Sequence, residues 1–313
     1  YCNTSSGQNS VAGGGRLNNA SGTSSIISGG GNNTSSAFAS TIGGGFGNTS
    51  SGQSSTTSGG YCNTSSSENS VISGGIKNLS QAFAGFVGGG NCNSVRNLTS
   101  GCLAYGSVVV GGVGNNTTGG TWALASCCFT VAPTICNAGL YSFVGGGFQN
   151  QAIGCYGTIV GGDRNRSCGK LSFIGGGTLH TASNNYTTIG GGFCNTASGI
   201  YSSANGGNQN ISSGFQATIS GGGNSIASGI ASTISGGYKN TASSDNSAIL
   251  GGTLNNTSTF ACAMIVGSNI TADRVCATFV NNLSVMNLPS SSAGLPSKSL
   301  YYDATTCAVL FVP

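Results

Sequence analysis

The chain has 313 residues, of which 57 are Gly and 13 are Cys, and only 4% are charged, for a net charge of +4. One short basic group (Arg164, Arg166, Lys170) argues against a nucleic-acid surface, while 37% apolar residues in register with low charge argue against disorder. The apolar run Phe260 to Val266 falls well short of the ~20 residues of a spanning helix, so no direct membrane insertion is expected.

The chain opens inside a repeat, since Tyr1-Cys2-Asn3 matches Tyr61-Cys62-Asn63, and a longer polypeptide is therefore expected. Through residues 1–93, Asn3, Asn18, Asn33, Asn48, Asn63, Asn78 and Asn93 recur every fifteen residues, those from Asn18 on preceded by a Gly pair. A fixed period of this kind is the mark of a solenoid in which each repeat forms one stacked coil. With the asparagine as position 1, position 10 carries Ile27, Ile42 and Ile72, a β-branched column that reads as buried strand. Small residues at position 8 (Ser25, Ser40, Ser55) and Ala20 at position 3 face the same interior by period-two alternation. The glycines at positions 12 and 13 predict one turn, and the usual Gly at position 5 predicts the other. Helical solenoids need longer periods, and this glycine content would defeat their helices.

Residues 94–149 are irregular. From Asn93 to Asn150 the spacing of 57 reads as three coils plus twelve extra residues, with one intact marker at Gly111-Gly112-Val113-Gly114-Asn115. Inserted residues in arrays map to surface loops that often bind, which makes Trp122, Tyr105 and Phe129 the candidate ligand-contact residues. Cys127, Cys128 and Cys136 are candidate disulfide partners in the same stretch. The competing expectation is a plain kink or a joint between two rolls.

The beat resumes over 150–272, with Ile159, Ile174, Ile189, Ile219, Ile234 and Ile249 in the core column and His180 and Ser225 replacing asparagines. Residues 273–313 form a linker and then two apolar-alternating runs, Ser299 to Asp303 and Cys307 to Val312, predicting a hairpin that caps the open last coil. The fold class expected is all-β: a parallel β-roll, or β-solenoid, of 15-residue coils.

One large apolar side chain per coil cannot offset an ordering cost of ~1–2 kcal/mol per residue. Position 9 points outward by alternation yet holds Val11, Ile26, Val71, Phe86 and Phe173, so a covering copy of the chain is expected.

Asn195-Thr-Ala-Ser-Gly199, Ser40-Thr-Ile-Gly-Gly-Gly45 and Ser232-Thr-Ile-Ser-Gly-Gly237 resemble head repeats of trimeric autotransporter (YadA-like) adhesins. Similar repeats occur in phage and viral tail-fibre proteins. The resemblance covers residues 1–93 and 142–272, and Leu288 to Ala304 resembles the segment that follows such arrays in tail fibres. It implies a left-handed roll, a homotrimer, and an extracellular, cell-surface or virion fibre that attaches to a host glycan or receptor. No coiled-coil heptads and no self-cleaving chaperone domain accompany it.

Sequons at Asn3, Asn33, Asn48, Asn63, Asn78, Asn97, Asn116, Asn165 and Asn256 are candidate glycosylation sites, although the repeat wording generates most of them. The five acids are scattered, so the carboxylate pair of a glycosidase is not expected, and without a C-x-x-C pair or periodic Asp neither is a metal or other cofactor. The leading reading is a non-enzymatic attachment fibre. The alternatives are an architectural coat with no ligand and, further behind, a fibre-borne polysaccharide depolymerase.

Overall fold

The computed structural model describes residues 2–97, 104–123, 128–136, 138–281, 289–290, 296–297, 300–303 and 308–311. These divide into two units, Tyr1–Phe279 and Val280–Pro313. The first is a parallel β-solenoid without helix among the described residues. Most coils contribute a short strand at positions 2–3 and another at positions 9–10, as in Thr49–Ser50 and Thr56–Thr57. They also contribute a single bridge at position 14, which runs from Arg16 through Phe46, Tyr61 and Phe148 to Thr253. Pairing is in register between consecutive coils, Thr41 with Thr56 and Ile42 with Thr57. The position-9–10 sheet is the longest, with seventeen strands.

The interior follows the expected alternation. Ile27, Ile42, Ile72, Ile159, Ile174, Ile189, Ile219, Ile234 and Ile249 are all fully buried. Across from them, serines at positions 3 and 8 bond to each other, Ser50 to Ser55 and Ser65 to Ser70, both at 2.7 Å. In three coils where position 3 is alanine (Ala20, Ala197, Ala227), the position-8 hydroxyls of Ser25, Ser202 and Ser232 are buried without a partner. Thr57, which interrupts the isoleucine column, likewise buries an unpartnered Oγ1.

The asparagines stack as a ladder whose side-chain amides bond mainly to backbone. The Oδ1 of Asn48 accepts the backbone N–H of Asn63 at 2.9 Å, while its Nδ2 donates to the carbonyls of Gly44 and Gly60, each at 3.0 Å. Each such asparagine clasps its own turn and the following coil. Position 13 must be glycine for this. Gly45 has φ +85°, and a Cβ there would meet Asn48 Nδ2 at 2.6 Å and Gly60 O at 2.2 Å.

The turn expectations need correction. The position-5 glycine does not supply positive φ. The left-handed residue of that turn is position 7, occupied by Ser24 (φ 57°), Ala39 (53°) and Tyr201 (60°), and position 15 is left-handed too. Such conformations cost a non-glycine residue roughly 1–2 kcal/mol. Here each donates its N–H to the preceding coil, as Ser24 does to Gln8 O at 2.7 Å, and that bond holds the conformation.

In the second unit, Leu300–Asp303 pairs antiparallel with Ala308–Phe311, Tyr301 opposite Leu310. The expected hairpin is present, and its connecting residues lie outside the described ones.

These packing differences set directions. Thr57→Val removes a buried unpartnered hydroxyl at constant shape and should stabilise by about 1–2 kcal/mol. Ile219→Asp, one residue from the half-buried Thr218, should cost about 3–5 kcal/mol as an uncompensated buried charge, with Thr218→Asp far milder. Urea midpoints of the three variants check both signs; a common midpoint for Ile219→Asp and Thr218→Asp would overturn the inward assignment.

Candidate functional site

The irregular stretch does not break the solenoid. The Asn115 N–H donates to Asn93 Oδ1 and the Asn150 N–H to Asn115 Oδ1, both at 2.9 Å, across separations of 22 and 35 residues. Phe86 pairs with Val108 and Val108 with Phe143 in the same ladder. The expected three coils plus twelve residues is therefore corrected to two coils, carrying 22 − 15 = 7 and 35 − 15 = 20 extra residues. The ladder asparagines decide this, because only Asn115 presents its amide at the right turn. The ladder bonds thus run on from Asn93 through Asn115 to Asn150.

The longer insertion folds back on itself. Thr117–Thr118 pairs with Thr134–Ile135, and Thr121–Ala123 with Cys128–Val131, both antiparallel. Trp122 lies edge-on to Phe129 at 5.0 Å and to Phe148 at 6.0 Å. Phe148 belongs to the position-14 strip of the solenoid, so these half-buried rings fasten the inserted hairpin to the coil. Gln149 Nε2 adds a bond to Gly119 O. Cys136 is a free thiol whose Sγ lies 3.7 Å from Thr118 Oγ1. Cys127 and the Cys128 side chain lie outside the described residues.

Tyr105 is placed elsewhere. It stands at the turn of positions 6 and 7, in an exposed row formed on consecutive coils by Phe83, Tyr105, Tyr141, Tyr156, Leu171, Tyr186, Tyr201 and Phe215. Neighbours touch: Phe83 and Tyr105 at 5.5 Å, Tyr141 and Tyr156 at 5.4 Å, Tyr186 and Tyr201 stacked at 4.6 Å. At ~4.8 Å per coil the row is roughly 34 Å long. Phe83, Ala84, Tyr105, Gly106 and Tyr141 line an apolar hollow of about 520 Å³ where the shorter insertion enters the array. Sequence reasoning placed Tyr105 among the inserted residues and missed the tyrosines at position 7. Tyrosine at a left-handed position is not a pattern that turn chemistry suggests, and only the stacking of coils joins the two positions into one edge.

The other sequence candidates fare differently. Asn33, Asn48, Asn63, Asn78, Asn116 and Asn165 are buried. Their Nδ2 atoms donate to backbone carbonyls, for example Asn165 to Gly161 and Gly177, so a glycan there would have to displace those bonds and open the coil. Asn3, Asn97 and Asn256 are partly exposed. The Asp163 carboxylate pairs with Arg164 and that of Asp273 with Arg274. A more polar recess of about 580 Å³ near Asp245 holds one carboxylate, whose Oδ1 accepts the Ile230 N–H. Among the described residues no three His, Cys, Asp or Glu side chains gather.

His180 takes an asparagine's place in the ladder. It is fully buried; its Nδ1 accepts the Asn195 N–H at 3.0 Å, and its Nε2 lies near the Gly192 backbone without a well-formed hydrogen bond. Burial pushes the imidazole pKa below its ordinary value, against smaller opposing effects from the Gly192 and Asn195 backbones.

No protein-family model matches the chain, and a search of curated proteins gives no match.

The depressed His180 pKa has a definite consequence. The folded state resists the proton that the unfolded chain takes up below ~6.5, so stability present above that value is lost as pH falls towards the folded pKa. His180→Asn restores both amide donations, should add about 1–2 kcal/mol at neutral pH, and should flatten the decline between pH 7 and 5. Thermal melts across that range are the measurement; parallel pH profiles for the two proteins would refute the assignment.

Proposed function

We propose that the chain is one strand of a homotrimeric, non-enzymatic fibre, extracellular or virion-borne, that attaches to a surface through glycan or receptor contact. The observation that carries the reading is a face that this chain alone leaves uncovered. At position 9, Val11 is 49% exposed, and Ile26 and Phe173 are also exposed. Three residues on, position 12 is glycine in coil after coil. At Gly14, Gly44, Gly176, Gly206 and Gly236 an added Cβ would meet nothing within 4 Å, and none of these is left-handed. No neighbouring atom or turn within the chain requires glycine there; a second backbone lying close against the face would. A closed ring of three copies covers that face on every chain without leaving a growing edge. The same reading makes the coil left-handed, by its likeness to adhesin and tail-fibre repeats.

The aromatic row lies on a different turn from the position-12 glycines. Exposed rings with a polar tip suit the apolar faces and hydroxyls of sugars, and the hollow beside Tyr105 is concave and mostly apolar, as ligand sites are. The fibre would thus assemble by one face and attach by one edge.

Native mass measurement of the intact particle should give three chains. Gly176→Val, which has room in the single chain, should lower the trimer fraction while leaving strand content intact. A folded monomer at low concentration in the unaltered protein would sink the trimer. On a glycan array, Tyr141→Ala should weaken the best-bound sugar about tenfold, or ~1.4 kcal/mol. An array on which the unaltered protein binds no sugar would favour the purely architectural fibre.

A further inference from the structure

Cysteines are scattered over several columns of the described coils. Those at position 15 (Cys2, Cys62, Cys92, Cys194) are separated by two or more coils, which at ~4.8 Å per coil puts them out of reach of one another. Cys262 and Cys276 are different. The Met264 N–H donates to Ala277 O at 2.9 Å, the bond that a position-9 residue makes to position 8 of the next coil. It follows that Cys276 stands over Cys262, both at position 7 of consecutive coils. Both are left-handed, with φ 58° and 52°, and both are exposed. Each is fixed by its backbone, the Cys262 N–H on Asp245 O at 2.9 Å and the Cys276 N–H on Ala261 O at 3.0 Å. The neighbouring Cys276 thiol raises the pKa of Cys262 above its ordinary value. Backbones stacked at ~4.8 Å lie within the ~4.4–6.8 Å Cα separation that a disulfide bridges. Among the described residues no other two cysteines share a column on consecutive coils.

We propose that Cys262 and Cys276 are a disulfide site that staples together the last two coils of the solenoid. The co-reactant is a low-molecular-weight disulfide. One cysteine thiolate attacks it, forming a mixed disulfide and releasing one small thiolate. The second cysteine thiolate then attacks the protein sulfur of that mixed disulfide, forming the Cys262–Cys276 bond and expelling the second small thiolate. The protein loses two protons and two electrons, and the small disulfide is reduced to two thiols. The staple sits where it matters, because the Thr278–Val280 strand ends the parallel array and a terminal coil frays first. The pairing does not depend on the fibre reading.

Arg274 lies between the two cysteines, so trypsin separates them into fragments 240–274 and 275–298. After incubation of the full chain in a glutathione redox buffer and alkylation of free thiols, the two fragments should appear as one species lighter by two hydrogens than their sum. They should separate on reduction. Amide exchange across Met264–Val266 should slow at least tenfold on oxidation in the unaltered protein and not in Cys276→Ser, whose exposed position lets it fold. Separate alkylation of both cysteines, a bond from either one to any other thiol, or equal exchange before and after oxidation would overturn the proposal.

Discussion

Each asparagine amide of this solenoid does three jobs at once. Its oxygen takes the N–H of the next asparagine, and its nitrogen holds the glycine carbonyls of its own turn and of the following coil. Because the nitrogen must reach two carbonyls about 3 Å away, position 13 can carry no Cβ, and because the oxygen is already committed, successive asparagines keep one spacing. The turn shape, the glycine at 13 and the in-register pairing of both sheets follow from that single clasp. Even the left-handed tyrosines depend on it, since their conformation is affordable only while the coil beneath is held at hydrogen-bonding distance.

That dependence explains what the chain reveals when read as letters. The isoleucine column and the two strands per coil are legible because burial and alternation act within one repeat. The glycine pair was legible as a turn, but its two members look alike in sequence: Gly45 is required by Asn48 and Gly60, whereas Gly44 touches nothing. The count of coils between Asn93 and Asn150 was not legible, because insertion length says nothing about which asparagine keeps the ladder. The aromatic edge escaped for a related reason. Tyr141 and Phe83 occupy different positions in the repeat, and become neighbours of Tyr105 only once seven and twenty residues are set aside as insertions.

The two insertions also show how the fold separates support from display. Extra residues leave and re-enter the stack without disturbing the position-9–10 ladder, since Val108 still meets Phe86 on one side and Phe143 on the other. Trp122 and Phe129 are spent fastening the inserted hairpin to Phe148. The hollow beside Tyr105 opens where the shorter insertion joins the row. A repeat array can in this way acquire a local, non-repeating surface while its interior remains periodic.

Two interior rungs lack the clasp. At Ser225 a hydroxyl accepts the Asn240 N–H at 3.2 Å, and at position 180 an imidazole accepts that of Asn195; neither side chain makes the paired donation to glycine carbonyls. When such a stack of coils is pulled along its axis, the bonds within one coil-to-coil interface share the load side by side, while successive interfaces carry the same force in series. Tensile strength is then set by the weakest interface, whatever the number of coils. Rupture under load should begin at one of these two substituted rungs, and adding further perfect repeats would lengthen the stack without toughening it.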